Sequence, residues 1–428
     1  MAEDGLTARR SRGGTVLIAA LVVDSVGNGL FMPLSLVYFT RLTEVSLALV
    51  GLLISVGNLV TLPIPVWAGA LADRLGALPL VVGAQALQAI GFLGYGFVSG
   101  PVGILVAVTL TAVGVRFFWS AIFTAIADYV DGSPTTSSKD SWYAWANTTR
   151  TAGLGLGGLV TGVVVTGGHD SAYRLVAHVA AGCFAVAALT IAVFVRAPRQ
   201  QHVEQLPRSG YATLLRDRPF LGLIGVNTIY ALSSMMLALA LPTFILVGLH
   251  GPAWLASGLL VGNTVLISVL AAPVVKRLVP YRRTRILAVA AVLWVGWCGL
   301  FAVLAPGRLV WVVPVLVVGT VLYSVADAIH APVSMALAAS ASPGPARGRY
   351  LATFQYSFTV AGIIAPTFFA TLFEIHRAIP WLALGAVNAV SILALLALER
   401  HLPSGALRES AGSAPAADPE ASTAAASS

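Results

Sequence analysis

Two charged side chains lie deep inside long apolar runs of this sequence, where they are the residues best placed to do chemistry. Asp24 falls near the middle of the first apolar run, and Arg116 falls near the middle of the fourth. A charge buried in such a run costs free energy, so its presence is a functional hypothesis by default. Asn28 follows Asp24 by one helical turn and lies on the same face. The pattern predicts that Asp24 binds and releases a proton, with Asn28 as its polar neighbour.

A second candidate site lies in a later apolar run. Asp327 and His330 are three residues apart and therefore share one face of a helix. Because histidine titrates near neutral pH, the pair is a candidate proton site or substrate anchor. The alternative is a structural histidine that is hydrogen-bonded and steadied by the aspartate. Further aromatic and polar residues are candidates for the wall of a cavity, or else ordinary packing residues: Trp119, Asn227, Tyr230, Tyr323 and Gln355.

The composition places these residues in a membrane protein. Hydrophobic residues make up 57% of the chain, charged residues only 10%, and the mean hydropathy is +0.87, whereas about a quarter of the residues in soluble proteins are charged. The net charge of +8 does not indicate a nucleic-acid partner, because the cations fall on alternate loops and do not form one surface. Cys183 and Cys298 lie far apart in apolar runs, which provides neither a metal site nor a disulfide framework. The sequence therefore predicts no nucleic-acid partner, no metal and no organic cofactor.

Twelve apolar runs have the length that a membrane-spanning helix needs. They cover approximately residues 15–38, 45–68, 78–98, 102–127, 144–166, 173–195, 220–247, 253–275, 285–305, 309–337, 350–373 and 379–398. With both termini in the cytoplasm, most of the 25 cations fall on inner segments. The exceptions are Arg41, Arg174, Arg308 and Arg377 on outer loops, and Arg116 and Arg150 within spans. The sequence therefore predicts an all-α, multi-pass protein of the cell membrane with cytoplasmic termini.

The chain divides into two halves of six spans each. A charged, Pro- and Gln-containing stretch at 196–218 predicts a cytoplasmic linker between the halves 1–195 and 219–400. The tripeptide Val-Gly-Asn at 56–58 recurs at 261–263, so the halves look like copies. Such an arrangement indicates a pseudo-twofold transporter with its site between the halves. The residues 401–428 are rich in Ala, Ser and Pro, which predicts a disordered cytoplasmic tail.

The stretch from Gly69 to Gly76, GALADRLG, is the one place where opposite charges interrupt an apolar region between flanking glycines. It is predicted to form a tight turn at the membrane surface. It resembles the loop motif of the major facilitator superfamily, which lies between the second and third of twelve spans. The matching residues are Gly69, Leu71, Ala72, Asp73, Arg74 and Gly76, whereas the basic residues that usually follow are replaced by Ala77, Leu78 and Pro79.

The resemblance implies roles for several residues. Spans 1, 4, 7 and 10 line a central cavity in that fold, which brings Asp24 and Arg116 within reach of each other, so that Arg116 sets the proton affinity of Asp24. The alternative is an ion pair that only holds two helices together. Arg116 matches the single arginine of the family's span-4 motif, although Trp119 and Ser120 replace its usual Gln-Gly. The loop motif acts as a conformational switch, with Asp128 as the partner of Arg74.

The resemblance is best to the drug-exporting branch of the superfamily. Span 5 carries closely spaced glycines at 153, 157, 158 and 162, as in antiporters, but Leu159 stands where the antiporter motif has proline, and close helix packing is the alternative. We therefore expect a monomeric exporter of a small, largely apolar organic compound, driven by proton antiport. An importer or uniporter of a sugar or an organic anion is the runner-up. No phosphate-binding Gly-x-x-x-x-Gly-Lys loop or protease motif occurs, so an enzyme is not expected, and a receptor or scaffold remains a minor alternative.

Overall fold

The computed structural model describes residues 2–131, 139–165, 168–195, 214, 216–278, 280–343 and 347–407. All regular structure in these ranges is helical, without a strand. The first part of the chain contains the helices α1 (Ala2–Phe31), α2 (Ser35–Leu42), α3 (Leu47–Leu59), α4 (Ile64–Leu75), α5 (Ala77–Tyr95), α6 (Pro101–Asp131), α7 (Lys139–Val164) and α8 (Asp170–Phe194). The all-α prediction is confirmed.

The second part of the chain is built in the same way. It contains α9 (Arg218–Thr243), which continues as a π-helical turn over Phe244–Gly248, and then α10 (Ala253–Leu278), α11 (Arg283–Val303), α12 (Leu309–Ala341), α13 (Arg347–Ile375), α14 (Ile379–Leu398) and the short α15 (Ser404–Leu407). The Asp217 side chain caps α9 by accepting a hydrogen bond of 3.1 Å from the Phe220 amide. Most of the predicted linker lies at 196–213, outside the described residues.

In the described part of the chain, nine helices are long and apolar enough to cross a membrane, and a bent pair makes ten. That pair is Val16–Phe31 with Leu36–Leu42, which meet at 55°. The predicted second span is broken into α3 and α4 at residues 60–63, where Pro63 has no amide hydrogen to continue a helical ladder. In α7 only Ala152–Val164 is apolar. The predicted number of twelve spans therefore stays a prediction.

The same packing pattern occurs twice. In the first half α1 packs on α7 and α8, α5 packs on α6 and α8, and α3 packs on α6. In the second half α9 packs on α13 and α14, α11 packs on α12 and α14, and α10 packs on α12. These pairs correspond one to one, which is the arrangement expected of a pseudo-twofold repeat.

The halves meet most closely where α3 packs on α13 and where α7 packs on α10. The Thr367 hydroxyl donates a hydrogen bond of 2.7 Å to Ser55 Oγ, and the Ala48 amide at the start of α3 donates one of 2.8 Å to Glu374 Oε1. A Cβ atom on Gly162 of α7 would lie 2.6 Å from Cβ of Ser257 in α10. All three contacts lie toward one end of the bundle, which is the outer end in the predicted orientation.

The Asp-Arg motif is a helix end and not the predicted turn. Helix α4 continues through Asp73 and Arg74 to Leu75, and α5 begins at Ala77. The change of direction rests on Gly76 alone, whose φ of 92° lies in the region that glycine adopts without a steric penalty. One such residue is enough to end a helix and start another, so Asp73 and Arg74 remain within α4.

The first residues of the predicted disordered tail, up to Leu407, are packed against the bundle. Leu402, Ala406 and Leu407 are buried, and Arg283 Nη1 donates a hydrogen bond of 3.1 Å to the Ala406 carbonyl oxygen. These apolar side chains gain from burial against α11 and α12, which the alanine- and serine-rich composition of the tail concealed. The residues 408–428 lie outside the described part of the chain.

Candidate functional site

Asp24 is buried in α1 and held by amide groups. Its side chain is 4% exposed. Gln85 Nε2 of α5 donates a hydrogen bond of 3.3 Å to Asp24 Oδ1, and Asn28 Nδ2 donates to Asp24 Oδ2 at 3.4 Å and to the Asp24 carbonyl oxygen at 3.1 Å. Asn28 is therefore the predicted neighbour, whereas Gln85 comes from a helix that the sequence did not connect with it. Among the described residues, both oxygens of the carboxyl group are held by amide groups and by no cation.

Glycines bring α7 against α1 beside this carboxyl group. A Cβ atom on Gly157 would lie 2.4 Å from the Val26 carbonyl oxygen, and one on Gly153 would lie 2.6 Å from Cβ of Ser25. Any larger side chain at these positions would push the helices apart. The glycines of span 5 thus give the close packing that was the alternative to an antiporter motif.

A cavity of about 140 Å³ opens next to Asp24. Its lining combines three polar side chains and one cation with apolar and aromatic residues, namely Leu21, Asp24, Ser25, Asn28, Phe118, Trp119, Ile122, Ile126, Arg150 and Leu154. The guanidinium carbon of Arg150 lies 4.5 Å from the centre of the Trp119 ring, in a cation–π contact. The predicted cavity residue Trp119 is thus on the wall of this cavity, and its side chain is 38% exposed.

The cation near Asp24 is Arg150 and not the predicted Arg116. Arg116 is not part of the described cavity lining, and the group with which it interacts electrostatically is Tyr356 of α13. Asp24 instead interacts with Arg150. Arg150 lies on α7, which packs directly against α1, the helix that carries Asp24.

In α12 the predicted Asp327/His330 pair is divided between different partners. Ser234 Oγ donates a hydrogen bond of 2.5 Å to Asp327 Oδ1. His330 Nε2 lies 3.0 Å from Asn227 Oδ1, which is the acceptor because Nδ2 of the same amide donates to Ser357 Oγ at 2.6 Å. The acid and the histidine thus hydrogen-bond to two different side chains of α9.

The remaining candidates are partly packing residues. Tyr230 is buried, and its ring meets that of His330 at a centroid distance of 5.8 Å. Tyr323 is also buried, and its hydroxyl donates to the Ser234 carbonyl oxygen. Gln355, in contrast, is exposed next to Tyr356. Only Gln355 among these three is accessible to a ligand.

The sequence did not predict four residues that contact the candidate sites, namely Gln85 and Arg150 in the first half and Ser234 and Ser357 in the second. A signal existed for the first two. Gln85 is an amide in an otherwise apolar run, and Arg150 is one of two cations within predicted spans. Serines give no such signal, because a serine hydroxyl is readily satisfied by its own helix.

The predicted switch residues are only partly described. Arg74 is exposed at the end of α4, but the side chains of Asp73 and Asp128, and the surroundings of Gly69, lie outside the described part of the structure. The contact between Arg74 and Asp128 therefore stays a prediction.

We expect Asp73→Asn to reduce transport while leaving equilibrium substrate binding nearly unchanged, because the motif lies at a bundle end and away from the Asp24 cavity. Parallel flux and binding titrations of the purified protein measure the two effects. Glu44→Gln, at an exposed carboxylate of another loop, is the control. A matching loss of affinity in Asp73→Asn would place the motif in the binding site.

A bundle of two repeated helical halves, with a carboxyl group and a cation at an interior cavity, defines a membrane transporter. The sequence profile described as Major Facilitator Superfamily matches residues 17–320. The chain belongs to this superfamily, which confirms the resemblance drawn from the motif at Gly69–Gly76.

Relatives and solved structures agree with this family. The multidrug resistance protein MdtH of Klebsiella pneumoniae (strain 342) is 23% identical over 395 residues, which cover 90% of this chain and 94% of the relative. MdtH of Edwardsiella ictaluri (strain 93-146) is 26% identical over 240 residues, 56% of this chain and 58% of the relative.

Among solved structures, the nucleoside transporter NupG superposes with a TM-score of 0.69 at 15% identity, covering 90% of this chain and 99% of NupG. A bacterial homolog to the human lysosomal transporter Spinster, in an inward-facing and occupied conformation, superposes with a TM-score of 0.69 at 13% identity, covering 91% and 97%. Likeness at such identity shows the fold alone.

Proposed function

We propose that this protein is a secondary active transporter that exports a small, largely apolar organic compound in exchange for protons. It acts as a monomer in the cell membrane with cytoplasmic termini, and the proton gradient is its only energy source. The observation that carries the proposal is the position of Asp24 on the wall of a cavity whose other lining is mainly aromatic and aliphatic.

The lining favours an apolar compound. Leu21, Phe118, Ile122 and Leu154 offer surface on which each square ångström of apolar contact removed from water contributes about 25 cal/mol. At about 140 Å³ the cavity is smaller than the roughly 300 Å³ at which drug-sized sites begin. It therefore takes one ring or side group of the compound.

Asp24 suits proton exchange because two features of its surroundings have opposite effects on the charge of its carboxyl group. Burial disfavours a charged carboxylate, whereas a nearby guanidinium and amide donors favour it. A movement that changes the distance to Arg150, or that admits water, shifts this balance and allows Asp24 to load a proton from one side and release it to the other. Asp327 with Ser234 is the second candidate for the coupling site.

The relatives support the direction of transport. Both MdtH proteins carry the words multidrug resistance in their names, and resistance by a transporter follows from export. The nucleoside and peptide transporters of similar fold carry no weight for the substrate, since their sequences are only 13–15% identical.

A resistance panel in an efflux-deficient host tests the proposal. Expression is expected to raise the growth-inhibitory concentration of several apolar, ring-containing compounds at least about fourfold, while Asp24→Asn expressed to the same level gives no change. Unchanged susceptibility across chemically diverse compounds would count against export.

An importer or uniporter of an organic anion is the second candidate. It is favoured by Arg150, a cation in the lining of the cavity, while the Asp24 and Asp327 carboxyl groups are engaged in hydrogen bonds. Accumulation of radiolabelled aromatic carboxylates or sugars by cells that show no resistance phenotype would support this candidate over export.

A further inference from the structure

Arg150 lies in the same cavity as two groups that attract a cation, the Trp119 ring and the Asp24 carboxyl group. Its guanidinium carbon lies 4.5 Å from the centre of the Trp119 ring. Asp24 lines the same cavity and attracts it electrostatically, yet among the described residues the two side chains form no ion pair within 4.0 Å. The cation therefore rests on the ring while a carboxyl group lies nearby.

Both partners are suited to hold a guanidinium, and in the described part of the structure the ring holds it while no ion pair to Asp24 is formed. The face of an indole ring attracts a cation through its quadrupole, and a carboxylate attracts it through its full charge. Arginine has a long, flexible stem, so rotation of its side chain is enough to move the guanidinium. The Trp119 side chain is 38% exposed and lies on the wall of the cavity.

We propose that Arg150 alternates between the Trp119 ring and the Asp24 carboxyl group, and that a planar aromatic substrate on the Trp119 ring drives Arg150 onto Asp24 and releases its proton. The inference rests on the proposed function and names the substrate class of its site. It also explains antiport, because binding of substrate and binding of the proton exclude each other through one movable cation.

The reverse step follows from the same geometry. When Asp24 takes up a proton from water, its charge disappears and the attraction for Arg150 is lost. The guanidinium then returns to the Trp119 ring and competes with the aromatic substrate for it. By linkage, the factor by which substrate weakens proton binding equals the factor by which the proton weakens substrate binding.

Few other charged or titratable groups face Asp24 in the described structure. Helix α7 contributes Arg150, and α8 contributes the thiol of Cys183. Helix α5 contributes Gln85, which carries no charge. Arg116 interacts with Tyr356 instead. Arg150 is thus the cation that controls the charge state of Asp24, as a positioning residue that need not contact the transported compound.

Titration of Asp24 without any substrate tests the switch. The purified transporter in lipid nanodiscs is followed by infrared difference spectroscopy, using the carboxylic-acid band that Asp24→Asn removes. In Trp119→Leu the ring no longer competes, so the midpoint of this band is expected about one pH unit lower than in the unmutated protein, as a nearer guanidinium stabilises the carboxylate. Trp119→Phe keeps a weaker ring and is expected to lie between the two.

The decisive comparison is the double variant. In Arg150→Gln the midpoint is expected to rise, and adding Trp119→Leu to Arg150→Gln is expected to change it no further, since there is no cation left to move. A shift by Trp119→Leu that is equal with and without Arg150 would overturn the proposal, because the ring would then act on Asp24 by itself. An unshifted midpoint in Trp119→Leu would overturn it as well.

Ethidium, as a planar aromatic probe, separates this inference from the proposed function. Saturating ethidium is expected to lower the Asp24 midpoint in the unmutated protein and not in Arg150→Gln. Ethidium that binds, as seen by its fluorescence, without moving the midpoint would overturn the link between ring occupancy and proton release. No binding of ethidium would overturn the aromatic substrate class, while the titrations without ligand still decide the Arg150 switch.

Discussion

Replacing Asp24 with asparagine is expected to abolish accumulation of substrate driven by an imposed pH gradient, while downhill exchange across the membrane of proteoliposomes continues. Asparagine has nearly the shape of aspartate and still offers an oxygen to Gln85 Nε2, which lies 3.3 Å from the carboxyl oxygen. It removes only the titration. The cavity keeps its lining, so substrate binds and moves down its gradient, but the proton gradient no longer has a group on which to act.

The measurement is flux in proteoliposomes with and without a pH gradient, at equal amounts of reconstituted protein. Asp170→Asn is the matched control, because this carboxylate pairs with Arg41 at the surface and its side chain is 63% exposed. Exposed ion pairs of this kind contribute little to the stability of a protein. If Asp24→Asn still accumulates substrate against its gradient, the coupling belongs to Asp327 in α12. Flux in the unmutated protein that ignores the pH gradient would indicate a uniporter or a sodium-coupled carrier.

Replacing Gly51 with valine is expected to reduce transport strongly by keeping the two halves apart at one end. A Cβ atom on Gly51 of α3 would lie 2.5 Å from Cβ of Ala370 and 2.6 Å from the Pro366 carbonyl oxygen of α13. Neither neighbour is the end of a flexible side chain, so the helices must separate. Overpacking of this kind costs about 1–3 kcal/mol. This cost corresponds to roughly a 5- to 150-fold shift in the equilibrium between the state in which α3 and α13 are in contact and the state in which they are apart.

The rate at which a membrane-impermeant reagent alkylates Ser55→Cys measures this opening, in a background without Cys183 and Cys298. Ser55 is buried at the same contact, where it accepts the hydrogen bond from Thr367. The rate is expected to rise with Gly51→Val and to stay unchanged with Gly182→Val, since a Cβ atom on Gly182 meets no neighbouring atom within 4 Å. Equal rates in both variants would mean that closure at this end does not depend on the α3–α13 contact.

Sequence alone determined the class of this protein, because that class depends on local properties. Long apolar runs force helices, since every backbone polar group in lipid must be satisfied within its own segment. The motif at Gly69–Gly76 was sufficient to identify the family, which the match over residues 17–320 confirms. Asp24 could be singled out in the same way, because a buried charge in an apolar run needs no knowledge of its neighbours to be unusual.

Only the tertiary structure decided which side chains lie close together at the candidate sites. Arg150 lines the same cavity as Asp24 and Arg116 does not, because the direction of a side chain around its helix has meaning only once neighbouring helices are placed. For the same reason Asp327 and His330 have different hydrogen-bond partners, although they share a helical face. The turn at Gly76 also depended on one backbone angle, a φ of 92°, and not on the charges beside it. Helical periodicity fixes which side chains lie on one face, but which face meets a partner is set by packing between helices that are far apart in the chain.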